Sequence, residues 1–192
     1  MPNPLYALIG LGNPGAEYAQ TRHNAGYWFA DRVCASQRAV LRSESRFHGE
    51  LARVQIAGQD LLVLKPGTFM NHSGQAVQAL AAFYKLAPEQ ILVAHDELDL
   101  PAGSVRLKRA GGHGGHNGLR DIHRHLGDQY LRLRIGIGHP GDKNLVLPYV
   151  LGRAAREDET RIHQALEQAE AALPVWLGES LEKAMTRLHT QA

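Results

Sequence analysis

Histidine, aspartate and asparagine side chains occur where predicted strands give way to helices or loops. They are Asn13, His23, Asn71, Asp96, His116 and Asn117. If the strands lie side by side in one open α/β sheet, their carboxyl ends meet at one edge, which is where ligands bind in such sheets. We therefore expect these side chains to form a single site.

Acid–base chemistry on water is the reaction that these residue types favour. A histidine supported by an aspartate can act as a general base, because the carboxylate fixes the tautomer and favours the imidazolium that forms. Asparagine amides can orient a polar substrate or stabilise an oxyanion without adding charge. Because no serine or cysteine stands in a nucleophile-elbow setting, the pattern favours a water nucleophile over a covalent intermediate.

The stretch from His95 to Gly118 concentrates these features. The apolar run 91–94 leads into His95-Asp96-Glu97, and a second short strand, Ser104 to Arg109, is followed by a glycine-rich loop. Glycines of this kind let a ligand approach the backbone closely. The alternative is a solvated turn with incidental histidines.

Alternating strand and helix patterns predict the elements that position these residues. Strands are predicted at Leu5–Ile9, Leu51–Ile56, Asp60–Lys65, 91–96, Ser104–Arg109 and Tyr130–Ile137, and helices from Asn24, at Gly74–Leu86, Leu119–Leu126, Ala154–Leu173 and Ser180–His189. Ala-Gly-Gln between the second and third strands indicates a three-residue hairpin loop. The predicted fold is α/β, with residues 1–192 in a single domain whose mixed, mostly parallel twisted sheet is flanked by helices on both faces.

A Gly-x-Gly-x-x-Gly pattern follows the first strand at Gly10, Gly12 and Gly15. A dinucleotide-binding motif requires a helix to open at once and an acidic residue to close a second parallel strand. Here Pro14-Gly15 makes a turn and helical sequence begins only near Asn24. The pattern therefore argues against nucleotide binding.

Composition indicates one globular domain in a reducing compartment. The chain has 192 residues, 44% of them hydrophobic and 21% charged, and its one cysteine, Cys34, excludes a disulfide framework. There is no signal-peptide pattern and no apolar run long enough to cross a bilayer. We expect a cytoplasmic protein with no membrane association.

Charge is unevenly distributed although the net charge is only +2. Residues 104–156 hold ten Lys or Arg and three Asp or Glu, whereas residues 157–192 hold seven acidic and three basic residues. A basic segment next to a glycine loop suggests a face for a polyanion, with nucleic acid as the candidate. The alternative is an ordinary solvated mixture of charges.

Six segments together closely resemble the bacterial peptidyl-tRNA hydrolase family over about Leu5 to Gly152. They are Leu8–Gly15, Thr21–Gly26, Lys65–Asn71, His95–Pro101, Gly111–Gly118 and Arg134–Gly141. The resemblance implies a monomeric enzyme of translation, without metal or cofactor, that cleaves the ester between a peptide and the 3′ end of tRNA. It implies that the partner is peptidyl-tRNA, which the enzyme contacts at the acceptor stem and the 3′ CCA end. It also implies that no protein partner is required.

The resemblance also implies a role for individual residues. The catalytic histidine falls on His23 and its aspartate on Asp96. Residues that hold the substrate fall on Asn13, Tyr18, Met70, Asn71, His116 and Asn117. Lys108 and Arg134 match a clamp on the 5′-phosphate of tRNA. Residues 139–148 match a mobile lid, which precedes C-terminal helices at 154–190.

Two positions depart from the family pattern, Gly67 and the pair Leu147-Pro148, and the second of them lies in the segment that matches the lid. Two other classes of function stay open. A metal-dependent hydrolase could use His95, Asp96, His113 and His116, although histidines on a glycine loop lack the fixed platform that metal ligands usually have. A non-catalytic RNA-binding protein would also explain the basic segment.

Overall fold

A computed structural model describes residues 4–190, which contain a seven-stranded sheet and six α-helices. The strands are β1 Leu5–Gly10, β2 Arg42–Glu44, β3 Gly49–Ile56, β4 Gln59–Pro66, β5 Ile91–Glu97, β6 Val105–Arg109 and β7 Leu131–Gly136. The helices are α1 Ala25–Ser36, α2 Ser73–Tyr84, α3 Asn117–Leu126, α4 Val146–Val150, α5 Arg156–Gly178 and α6 Leu181–His189.

The sheet has the order β2-β3-β4-β1-β5-β7-β6. Strands β4, β1, β5 and β7 are parallel neighbours, while β3 and β6 run antiparallel to the strands beside them. Buried central strands such as β1 and β5 are apolar on both faces because helices cover both sides of the sheet. The predicted mixed, mostly parallel sheet is confirmed.

Two hydrophobic cores lie on opposite faces of this sheet. Leu8 and Leu92 point into the core formed with α1, α5 and α6. Ile9 and Val93 point into the other core, formed with α2 and α3. Each strand therefore contributes alternate side chains to the two faces. No helix within residues 4–190 is long and apolar enough to cross a membrane.

The β3–β4 hairpin has a tighter turn than predicted. Ile56 pairs with Gln59, so the loop is the two-residue Ala57-Gly58 and not Ala-Gly-Gln. Ala57 and Gly58 have φ angles of 54° and 75°. Two-residue turns with positive φ at both positions match the right-handed twist of the strands, which a longer loop would not do as closely.

Helix α5 also extends further than predicted, from Arg156 to Gly178 instead of ending at Leu173. Pro174 lies inside it, at a cost of about 3 kcal/mol in a helix interior. Trp176 and Leu177 are buried beyond the proline. Burial of a large apolar side chain contributes about 1.5–3 kcal/mol, so tertiary packing offsets the local preference.

One edge strand of the sheet is short, and the other is covered by a helix. At one edge β2 has three residues. At the other, the backbone N–H of Leu107 in β6 donates to Nε2 of His189 in α6, at 3.1 Å. Arg109 of β6 pairs with Glu182 of α6 at 2.6 Å. Helix α6 therefore covers the free side of β6.

Candidate active site

His23 and Asp96 meet at the carboxyl end of the parallel strands. His23 lies in a 3₁₀ turn, Arg22–Asn24, that leads directly into α1, and Asp96 is the penultimate residue of β5. Nδ1 of His23 lies 2.7 Å from Oδ2 of Asp96. Both residues are buried, with exposed fractions of 9% and 3%.

His116 completes the cluster from the other side of the carboxylate. It is the N-cap of α3, where its Nδ1 accepts from the N–H groups of Gly118 and Leu119 at 3.1 and 3.3 Å. A neutral imidazole carries one proton, so Nε2 of His116 is the protonated nitrogen. That Nε2 donates to Oδ1 of Asp96 at 2.8 Å.

Hydrogen bonding therefore fixes the tautomer of His23. Both oxygens of Asp96 accept, so Nδ1 of His23 donates, and its Nε2 keeps a lone pair. Burial lowers the pKa of His23, but the charge and hydrogen bond of Asp96 outweigh burial and raise that pKa above 6.5. Burial raises the pKa of Asp96, but the two imidazoles bring it far below its usual range. The carboxylate is therefore ionised at neutral pH.

A cavity of about 270 Å³ opens beside this cluster. His23, Asp96, His116 and Asn117 line one part of it, together with the glycine loop. Lys143, Leu147 and Val150 also line this cavity. The cavity therefore joins the strand ends to the segment that resembles a lid.

The segment 139–148 has local structure of its own. Asp142 caps a 3₁₀ turn, Lys143–Leu145, which runs into α4. Pro148 is the third residue of α4, a position in the first helical turn where its missing N–H costs nothing. This accommodates the unusual Leu147-Pro148 pair. Mobility of the segment stays a prediction.

Close packing does not require a glycine at position 67, which is the other departure from the family pattern. Its N–H donates to the carbonyl of His48 at 2.7 Å, and an added Cβ would lie no nearer than 3.4 Å to other atoms. A side chain would fit here. Because Gly67 has no side chain, space remains at the end of β4.

Arg132 holds the glycine loop, a role that the sequence did not indicate. It is 2% exposed and donates to the carbonyl oxygens of Gly111 and Gly112. It also contacts Nε2 of His123 at 3.0 Å and donates to the carbonyl of Asp128 at 3.3 Å. This buried guanidinium fixes the loop that carries His116 and Asn117.

Asn13 does not line the His23 cavity but a different one. Its Oδ1 accepts from the N–H of Met70 at 2.7 Å. The side chain of Asn24 holds its backbone N–H and carbonyl at 2.8 and 3.0 Å. Asn24 is only 1% exposed, and the sequence analysis treated it only as the start of a helix. Its position directly after His23 was the sequence feature that could have indicated a role in the site.

The other expected substrate residues have different surroundings. Met70 is buried, and a Cβ on Gly118 would lie 2.6 Å from its sulfur, so the first turn of α3 packs directly on Met70. Tyr18 packs edge-to-face on Phe69 at 6.3 Å. Asn71 is exposed. Of the expected substrate residues, His116 and Asn117 line the His23 cavity.

Lys108 and Arg134 lie on adjacent strands and on the same face. In the β6–β7 register Arg106 is opposite Arg134, and Lys108 is opposite Arg132. Lys108 is therefore a diagonal neighbour of Arg134, with a separation of about 7–8 Å. Nε of Arg134 pairs with Oε1 of Glu97 at 2.9 Å, whereas Lys108 is exposed and has no ion pair within residues 4–190.

The donor atoms of His23, Asp96 and His116 lie within 4.8 Å of one another, a spacing that a metal ion could use. The proton on Nε2 of His116 argues against this use, because a metal ligand needs a lone pair there. His95, expected in the metal hypothesis, instead donates through Nδ1 to the carbonyl of Asp96 at 2.9 Å. Burial and the neighbouring His116 lower the pKa of His95 to about 4.

Known proteins similar to this chain match it over nearly its whole length. The family model for peptidyl-tRNA hydrolase matches residues 7–192. Peptidyl-tRNA hydrolase from Neisseria meningitidis serogroup C is 51% identical over 192 residues, covering 100% of both chains. The Pectobacterium atrosepticum enzyme is 54% identical over 184 residues, covering 95% of this chain and 94% of the relative.

A solved structure has the same architecture. The crystal structure of peptidyl-tRNA hydrolase from Acinetobacter baumannii superposes with a TM-score of 0.93 at 47% identity, covering 96% of this chain and 94% of that one. Sequence identity at this level over nearly the full length indicates membership of the same family, and not only a shared fold. The chain belongs to the peptidyl-tRNA hydrolase family, a family of hydrolases.

Proposed function

We propose that this chain hydrolyses the ester bond between a peptide and the 3′ end of tRNA, with His23 as general base on water. The observation that carries the proposal is the 2.7 Å contact from His23 Nδ1 to Asp96. It leaves Nε2 of His23 as the lone-pair nitrogen at the cavity. The residues match an enzyme that activates water without a covalent intermediate.

In the reaction, Nε2 of His23 takes a proton from water while the water oxygen attacks the ester carbonyl carbon. Asp96 stays ionised and stabilises the imidazolium. When the carbon–oxygen bond to the ribose breaks, the 3′-oxygen of tRNA receives the proton from His23. The products are a tRNA with a free 3′-hydroxyl and a peptide carboxylic acid, which loses its proton to solvent and leaves as the carboxylate.

The remaining expected residues position the substrate in this proposal. Asn117 shares the cavity with His23, and Asn13 and Asn71 lie at neighbouring junctions. Their amides hold the peptidyl group without adding charge. Lys108 and Arg134 bind the 5′-phosphate of tRNA, which offers several acceptor oxygens for charge-assisted hydrogen bonds.

The test is hydrolysis of an N-acetylated aminoacyl-tRNA, with free aminoacyl-tRNA as the second substrate. We expect turnover of the first and little of the second. His23→Ala should lower kcat by about 10²- to 10⁴-fold, because proton transfer is lost. His163→Ala, which removes an exposed imidazole on α5, is the matched control and should keep the wild-type rate. A folded His23→Ala protein with wild-type turnover would reject the assignment.

A further inference from the structure

The two cations proposed to bind the 5′-phosphate of tRNA are held in different ways. Nε of Arg134 pairs with Oε1 of Glu97 at 2.9 Å, whereas Lys108 is exposed and forms no ion pair in the described part of the chain. A lysine ammonium is a point charge that needs little orientation, but an arginine recognises phosphate through a planar fork whose direction matters. The group that fixes the direction of Arg134 therefore affects how the phosphate is bound.

Glu97 is placed to fix that direction. In the register of β5 with β7, Arg134 lies opposite His95, so Glu97, two residues further along β5, is on the same face of the sheet. Oε1 of Glu97 accepts from Arg134, and Oε2 accepts from the backbone N–H of Asp99 at 3.2 Å. The Glu97 side chain is only 19% exposed. The carboxylate is therefore held on both oxygens.

The pairing leaves the end of the guanidinium free. Glu97 contacts Nε, while Nη1 and Nη2 of Arg134 have no hydrogen-bond partner among residues 4–190. Two guanidinium nitrogens can donate parallel hydrogen bonds to two oxygens of one phosphate. Glu97 therefore orients the arginine without using the donors that phosphate binding requires.

Glu97 also connects this cation to the catalytic strand. It directly follows Asp96 in β5, and it lines the His23 cavity. Its backbone carbonyl accepts from the N–H of Ile137, the residue after the end of β7, at 3.0 Å. The paired ends of two strands, and not a loop, thus set the position of Arg134 relative to the ester site.

We propose that Glu97 is a positioning residue for tRNA binding, which acts by holding the fork of Arg134 in the orientation that receives the 5′-phosphate. An arginine already held in one orientation loses less conformational freedom when the phosphate binds, so Glu97 increases affinity although it is itself negative. This inference rests on the proposed binding of the 5′-phosphate by Arg134. It adds a residue that the charge of the clamp alone does not require.

The test compares kcat/KM for N-acetylated aminoacyl-tRNA with and without the 5′-phosphate, and the ratio of the two values is the readout. Glu97→Leu removes the acceptor of Nε, so the ratio should fall by about two- to tenfold, the range expected for ordering one long side chain. The fall should appear as a higher KM for the phosphorylated tRNA. Glu97→Asp, which keeps the charge but shortens the side chain by one methylene group, should also lower the ratio.

Glu97→Gln separates orientation from charge. The amide oxygen can still accept from Nε of Arg134, because the charged guanidinium is a stronger donor than the exposed N–H of Asp99. The ratio should therefore stay within about twofold of wild type, since loss of one exposed charge has a small effect.

Glu170→Leu is the matched control. Oε1 of Glu170 pairs with Nε of Arg32 at 3.0 Å, and the Glu170 side chain is 21% exposed, so the same kind of pair is removed between α5 and α1. The ratio should not change. In an Arg134→Ala background, Glu97→Leu should cause no further change of the ratio, because Glu97 acts through Arg134.

The results distinguish this inference from the proposals on which it rests. If wild type hydrolyses both tRNAs with equal kcat/KM, the 5′-phosphate clamp fails and the role of Glu97 fails with it, while ester hydrolysis stands. If wild type discriminates and Arg134→Ala discriminates less, a folded Glu97→Leu protein with the wild-type ratio or a higher one overturns the positioning role alone. An equal loss of kcat/KM for both tRNAs in Glu97→Leu also overturns it, because such a loss arises at the His23 cavity.

Discussion

Asp96 accepts a hydrogen bond on each oxygen, and this double role makes its replacement by an amide informative. In Asp96→Asn, Nε2–H of His116 still requires an acceptor, so the amide oxygen faces His116. The amide NH₂ then faces Nδ1 of His23, which must become the acceptor, and the proton of His23 moves to Nε2. We expect kcat to fall by about 10²- to 10⁴-fold, because the base nitrogen is blocked.

The same reasoning gives a rescue experiment. His116→Ala in the Asp96→Asn background removes the donor that fixes the amide, so the amide can turn its oxygen toward His23. Part of the lost kcat should return, although the lost N-cap of α3 costs about 0.5–2 kcal/mol of stability. A double variant that is folded in thermal melts but slower than Asp96→Asn would contradict the tautomer explanation.

The raised pKa of His23 predicts the pH dependence of the reaction. A general base must be neutral, so kcat/KM should fall as pH drops through that pKa, and the acid limb should lie above the unperturbed value of 6.5. Asp96→Asn removes the charge that raises the pKa of His23. The acid limb of kcat/KM for the remaining activity should therefore lie at lower pH than in wild type. A pH profile of kcat/KM for both proteins checks this; an acid limb at the same pH in both would count against it.

At the scale of elements, Arg132 connects strand β7 to the glycine loop. Arg132→Met keeps length and removes the donors to Gly111 and Gly112, leaving the carbonyls of a partly buried loop unpaired. We expect a loss of about 1–3 kcal/mol in the free energy of unfolding and a lower kcat, because His116 and Asn117 are no longer held. Thermal melts and kinetics measure the two effects.

Arg124→Met is the matched control, because Arg124 is an exposed residue of α3 with one ion pair at 3.9 Å. It should change neither quantity appreciably. Full retention of kcat in folded Arg132→Met protein would mean that the loop holds its position without the guanidinium.

Strands and helices were predictable where burial and local pattern agree. The apolar runs at β1 and β5 predicted buried strands, and the polar residues at their ends predicted the edge where His23 and Asp96 meet. The predicted helix ended at Leu173, but α5 continues through Pro174 to Gly178, because burial of Trp176 and Leu177 offsets the cost of the proline. The unpredicted β2 has three exposed residues and no sequence pattern.

The site was predictable in its residue types but not in its hydrogen bonding. His116 was expected to contact substrate, yet its bond to Asp96 depends on its capping of α3, which requires the tertiary structure. Arg132 alternates with leucines in β7 like Arg134, but it is buried under the glycine loop while Arg134 pairs with Glu97. Sequence alternation alone gives both arginines the same face.

At the scale of the molecule, a small net charge requires that tRNA be held by a local group of cations. Lys108→Ala with Arg134→Ala should raise KM for peptidyl-tRNA carrying a 5′-phosphate and should hardly affect a tRNA without it. The slope of log affinity against log salt should decrease by about 0.9 for each phosphate charge no longer neutralised. Binding titrations at several salt concentrations measure this slope.

Lys183→Ala with Arg187→Ala, two cations of α6, is the control for total charge. It should preserve the discrimination between the two tRNAs. If the Lys108 and Arg134 double variant discriminates as wild type does, other cations of the basic segment must hold the phosphate.

The contact between Leu107 and His189 has a consequence for synthesis of the chain. The two residues are separated by 82 positions, so β6 leaves the ribosome well before the helix that covers it. At about 5–20 residues per second the interval is roughly 4–16 s. During that time the outer N–H and carbonyl groups of β6 are open to pairing with another strand. Protection of the nascent sheet therefore comes late, with the arrival of α6.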